Sequence, residues 1–77
     1  MKAPHGFKTI QTGGGCTAWE STDQKTLITN GELSTPETMD SYCEVYIGQD
    51  SFSGCVPPAT FRTLTLALNY LTNKAHM

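Results

Sequence analysis

The sequence predicts an α+β fold: a small antiparallel sheet of three to four strands with one C-terminal helix packed across a face. Three observations carry this expectation. Residues 41–48, SYCEVYIG, alternate so that Cys43, Val45 and Ile47 share one side while Tyr42, Glu44 and Tyr46 share the other. Glycine-rich stops at Gly13-Gly14-Gly15 and Asn30-Gly31 cut the first half into short β-prone segments. Near the end, Phe61, Leu64, Leu68 and Leu71 recur at helical spacing, with Ala67 close to the same stripe.

The elements follow in order. GFKTIQT (6–12) reads as a first strand, rich in β-formers though without clean alternation. CTAWES (16–21) reads as a second, and a TDQ turn leads into a short third strand, KTLIT (25–29). Asn30-Gly31 stops it, since both residues tolerate positive φ. In ELSTPETMDS (32–41), Thr35 as cap, Pro36 at the first helical position and Glu37 in the first turn predict one or two turns of helix. The alternating strand 41–48 comes next, then a QDSFSGC loop. Pro57-Pro58 sets the entry to the final helix, Thr60 is its expected cap, and the Phe61–Leu71 stripe packs on the sheet. Leu66 and Tyr70 fall off that stripe, so they either widen the covered face or remain partly exposed.

A chain of 77 residues makes one domain, 1–77. At that size folding buries only about 60–65% of the unfolded surface, which disfavours a deep internal active site. Functional surface is expected to be shallow, or to be completed by a partner. The opening MKAPHGFKTIQTGGG has no apolar run behind Lys2, and no window approaches the roughly 20 apolar residues of a membrane span. Cys16, Cys43 and Cys55 leave at least one thiol unpaired. A cytoplasmic location, without membrane association, is the expectation.

Charge is unevenly placed. All seven acids lie between positions 20 and 50, a span with one base, Lys25, and a net charge of −6; Lys2, Lys8, Arg62 and Lys74 make the flanks +4. Phosphate binding needs clustered Lys and Arg, so the distribution argues against a nucleic-acid-binding surface in the middle of the chain and permits attraction to a basic partner; the plain reading is a solvated acidic sheet edge plus loops.

TGGGC (12–16) is the one stretch with the look of chemistry. A phosphate-binding loop of the nucleotide-hydrolase type would need a Lys and a following helix; none is predicted. The dinucleotide pattern fails as well, because position 18 is Ala. A nucleophilic Cys16 would need a base, and the only histidines, His5 and His76, lie near the two ends. A hairpin turn whose glycines supply positive φ, or a close approach of another backbone, is the plain reading. Zinc is not expected, since the cysteine spacings are far from the paired ligands of structural sites. No carboxylate pair organises hydrolysis, and the chain is read as non-enzymatic with no cofactor.

What remains is surface. If the helix covers Cys43, Val45 and Ile47, then Tyr42 and Tyr46 flank Glu44 in solvent, with Trp19 expected nearby on an adjacent strand. Aromatic residues supply much of the energy at protein interfaces. The candidate binding set is therefore Trp19, Glu37, Asp40, Tyr42, Glu44, Tyr46 and Asp50. The competing explanation is that the tyrosines pair across strands for stability alone.

The run TGGGCTAW, then LITN followed by Pro36, then YIGQD, resembles small proteins encoded by phages and other mobile elements, over patches of about 35 residues. The resemblance implies a setting and no catalytic residues. Small acidic proteins of that kind are often inhibitors of host defence, including anti-CRISPR proteins that block the nucleic-acid-binding surface of an effector. The expectation is a binding protein whose partner is a protein with a basic or nucleic-acid-binding surface. A self-complementary version of the tyrosine face would give a homodimer. The alternative is an oligomer that binds a small ligand or nucleotide, using the amides of Gly13, Gly14 and Gly15 as an anion site.

Overall fold

The computed structural model describes residues 2–32, 34–48 and 58–75. It shows an α+β unit with five strands and one helix among those residues: β1 (Phe7–Gly13), β2 (Cys16–Ser21), β3 (Thr26–Thr29), β4 (Cys43–Ile47), β5 (Ala59–Phe61) and α1 (Leu64–Ala75). All neighbours pair antiparallel in the order β1-β2-β3-β4-β5, so the sheet is a simple meander.

The cross-strand register assigns the two faces. Thr9, Trp19, Ile28, Val45 and Ala59 form one row across all five strands. This row faces α1, and Trp19, Ile28, Cys43, Val45, Leu64 and Ala67 make the buried core, with Phe7, Ile47, Phe61, Leu68 and Leu71 packed around them. The adjacent row, Lys8, Glu20, Leu27 and Tyr46, lies on the opposite face, as do the paired residues Thr29, Glu44 and Thr60. One sheet face is thus covered by the helix, while the other carries polar groups together with the buried Ala18 and the partly buried Ile10 and Leu27.

Local sequence explains the connections. Gly14 and Gly15 have φ of 61° and 83°, the sense a tight hairpin between right-twisted strands requires, and the register shifts between Gln11 and Gly13. A β-carbon on any of the three glycines would meet nothing within 4 Å, so within the monomer they serve the turn and no second backbone approaches. At the next corner Ser21 Oγ donates to Asp23 and accepts from the amides of Lys25 and Thr26, closing the turn around Gln24, whose φ is 62°. After β3, Asn30 Oδ1 accepts the amides of Glu32 and Ser34, so the side chain replaces the lost ladder partner.

Three expectations need correction. The sheet has five strands, because Ala59–Phe61 pairs with β4; Phe61 belongs to an edge strand, and its apolar ring mimicked the start of the helical stripe. Thr60 consequently caps nothing. The helix starts at Leu64 and is capped by Thr63, whose Oγ1 accepts the Leu66 amide at 3.2 Å. The second correction concerns 34–41, which holds no helix. Pro36 is buried as an anchor, while Thr38 and Ser41 close a turn through Thr38 N to Ser41 Oγ and Ser41 N to Thr38 O. Hydroxyls offering local partners to the backbone out-competed so short a helix. The turn also carries the Met39 carbonyl to α1, where it accepts the Thr65 amide at 3.1 Å and the Thr65 hydroxyl at 3.3 Å.

The third correction is Trp19, expected near the tyrosine surface. It lies on the opposite face, 0% exposed, in the centre of the core. A surface role for it is ruled out by that burial. Its indole Nε1 finds no acceptor among the described residues.

Candidate functional site

The site is built on β4. Alternation along Cys43–Ile47 sends Cys43 and Val45 into the core and leaves Glu44 and Tyr46 on the open face. Tyr42, just before the strand, is 47% exposed. Both tyrosine hydroxyls turn onto one carboxylate: Tyr42 Oη donates to Glu44 Oε2 at 3.3 Å, and Tyr46 Oη donates to Glu44 Oε1 at 3.3 Å. The expected arrangement of two tyrosines around a glutamate is therefore present, but not wholly in solvent, since Glu44 and Tyr46 are half-buried.

Their cover comes from neighbouring strands. Glu44 sits beside Thr29 in the ladder and Tyr46 beside Leu27. Thr12, Thr17 and Gly31 complete a cleft of about 310 Å³ with these four residues. On the other side of Gly31 a shallower hollow of about 270 Å³ is lined by Asn30, Glu32, Glu37, Ser41 and Tyr42. Glu44 lines the first and Tyr42 the second, and the hydrogen bond between them joins the two linings. Gly31, at φ 81°, lets the Tyr42 ring lie against the backbone; a β-carbon there would stand 2.8 Å from the ring and 3.7 Å from the Glu44 carboxyl carbon.

The electrostatics follow from this contact. Partial removal from water, then the Glu44 charge, then the hydrogen bond to it, raise the Tyr42 and Tyr46 hydroxyls above the ordinary tyrosine value. Both phenols stay neutral donors at physiological pH. On the covered face, burial pushes the Cys43 thiol up to about 11, with the Glu44 charge contributing second. Its Sγ lies 3.9 Å from the Thr63 carbonyl oxygen, so Cys43 is a packed thiol in a protonated state.

Of the seven residues singled out from sequence, the structure gathers Glu37, Tyr42, Glu44 and Tyr46 along one surface. Asp40 is exposed in the Thr38–Ser41 turn and lines neither hollow. Trp19 belongs to the core, and Asp50 lies outside the described residues. Sequence reading missed Thr12, Thr17, Leu27, Thr29, Gly31 and Glu32. Leu27 and Thr29 were one alternation away from recognition, but only the register brings them beside Tyr46 and Glu44. Gly13, Gly14 and Gly15 are exposed at the hairpin tip.

No group of three or more His, Cys, Asp or Glu among the described residues is arranged to hold a metal ion. No described helix is long and apolar enough to cross a membrane. No protein-family model matches the chain, and comparison with curated proteins and with solved structures gives no match.

Proposed function

We propose that this is a non-enzymatic binding protein that engages a basic surface of a protein partner through the face formed by Glu37, Tyr42, Glu44 and Tyr46. The observation that carries this reading is the shared carboxylate: both phenol hydroxyls are fixed on Glu44, which presents two aromatic rings and a negative charge as one unit. Interfaces take much of their energy from aromatic anchors held in this way, because little side-chain entropy is left to lose on association. Glu32 and Glu37 extend the negative character beyond Tyr42. Steering by such charge speeds encounter with a cationic surface and discriminates against acidic ones. The resemblance to phage-encoded proteins puts a nucleic-acid-handling complex of host defence, such as a CRISPR effector, first among the partners to test. In that setting the protein would act as an inhibitor by occupying the surface.

The test compares captured proteins across variants of the immobilised chain in a lysate of the native host. Wild type and Asn69→Lys, which adds a positive charge on the exposed side of α1, retain the same basic protein. Glu44→Lys and Tyr46→Ala lose it while keeping the wild-type circular dichroism spectrum. Raising the ionic strength weakens the wild-type capture. Equal capture by Glu44→Lys and wild type overturns the proposal.

A further inference from the structure

We infer that the cleft beside Glu44 and Tyr46, walled by residues of β1 to β4, is a receptor for an arginine side chain of the partner. This rests on the reading of Tyr42, Glu44 and Tyr46 as a binding face and names the group that face recognises. Each carboxylate oxygen of Glu44 has two acceptor positions, and the tyrosines use one on each. A pair of acceptors therefore remains for a planar, two-pronged donor. Among the described residues no cation pairs with Glu44; its hydrogen-bond partners are two neutral phenols, and the residue as a whole is partly buried. A carboxylate held by neutral donors alone keeps its charge available to a cation arriving from outside.

The remaining walls select the kind of cation. A guanidinium carries five N–H donors and no acceptor, so it needs acceptors placed around it in addition to the carboxylate. Thr12, Thr17 and Thr29 line the cleft; the Thr29 hydroxyl already accepts the Gly31 amide and the Thr17 hydroxyl is paired with Ser34, and the Thr29 oxygen keeps a second acceptor position. Tyr46 contributes an aromatic ring, on which a guanidinium stacks better than an ammonium does. Leu27 offers apolar surface to an aliphatic stem. None of the seven lining residues is basic. Lys8, the base in the same row as Tyr46, is three strands away in the sheet and stands directly beside Glu20. The space, about 310 Å³, is open on one side, as it must be for a side chain that arrives on another protein.

The experiment is an NMR titration of the whole chain, followed by amide and methyl shifts. Three peptides are used, acetyl-Gly-Gly-X-Gly-Gly-amide with X as arginine, lysine or citrulline, the last having arginine's shape without its charge. The expected result is saturable shifts at Leu27, Thr29, Glu44 and Tyr46 with the arginine peptide. Lysine binds more weakly, and citrulline gives no saturation. Glu44→Gln, which keeps the size and the tyrosine acceptor, weakens the arginine peptide by about tenfold or more, as expected for losing one charge-assisted pair. Thr29→Val, close in shape, weakens it by a smaller factor and guards against a Glu44 variant that fails to fold. Absence of saturable shifts overturns the inference, as do equal arginine and lysine responses or shifts centred away from the cleft. If the peptide fails while capture of the protein partner still depends on Glu44, the arginine assignment falls and the binding face stands.

Discussion

The Tyr42 ring lies against the backbone of Gly31, so closely that a β-carbon on the glycine would stand 2.8 Å from the ring's Cε1. Glycine is needed there twice over, for its φ of 81° and for the space. Gly31→Ala is expected to cost about 1 kcal/mol for the backbone conformation alone and to push Tyr42 away from Glu44. Gly14→Ala, at φ 61° with open space, pays only the conformational part. Urea denaturation should show the larger loss for Gly31→Ala, and only Gly31→Ala should change the aromatic chemical shifts of Tyr42 and weaken binding at the face.

The two tyrosines give the site an alkaline signature. Their hydroxyls are raised from the ordinary value of 10.0, so the neutral form is favoured in the folded state. That contribution is intact below the unfolded tyrosine value and is lost as pH rises through the higher folded values. In a Tyr70→Phe background, absorbance at the phenolate band follows Tyr42 and Tyr46 alone. Glu44→Gln removes the neighbouring charge and should move this titration to lower pH. An unchanged midpoint would show that Glu44 does not set it.

Trp19 holds the sheet and helix together. Trp19→Ala is expected to cost about 3–5 kcal/mol, which matches or exceeds the whole stability of a domain this small, so the variant should be unfolded at room temperature. Trp19→Phe loses volume but also removes the buried Nε1 that has no acceptor among the described residues, and should remain folded with a lower Tm. Circular dichroism melts distinguish the two outcomes. A folded Trp19→Ala would contradict the core assignment.

Cys43 and Cys16 are both free thiols in different surroundings, one buried and one half-exposed. In a Cys55→Ser background, a thiol reagent at pH 8 should label Cys16 readily and leave Cys43 untouched until urea unfolds the chain. The Cys43 thiol is held up to about 11 against an ordinary 9.0, so its protonated form contributes stability below the unfolded value. That contribution disappears as pH climbs through the folded one. Labelling of Cys43 at the rate of Cys16 in native buffer would refute its burial.

Sequence was informative wherever a single element sufficed. The Cys43–Ile47 alternation separates core from open face, and by itself it puts Tyr42, Glu44 and Tyr46 on one side. The antiparallel first half, the Asn30-Gly31 stop and the Leu64–Leu71 stripe were equally legible, because φ tolerance and periodicity are properties of neighbouring residues. β1 reads poorly because Phe7 and Ile10, three apart, sit on opposite faces of one strand; a half-buried residue on each side erases alternation. Whether Ala59–Phe61 is strand or helix depended on the free edge of β4, which a three-residue segment does not reveal by itself.

Tertiary structure decided what the open face can hold. Trp19 alternates with Ala18 and Glu20, and nothing local says which side the helix will cover; pairing with Ile28 and Val45 placed it inside. The cleft exists because register sets Leu27 and Thr29 beside Tyr46 and Glu44. Residue type and alternation are local, and they specified the elements and the tyrosine–glutamate face. Register and the side taken by the helix depend on contacts between residues far apart in the chain, so only folding brought the threonines and the carboxylate around one space.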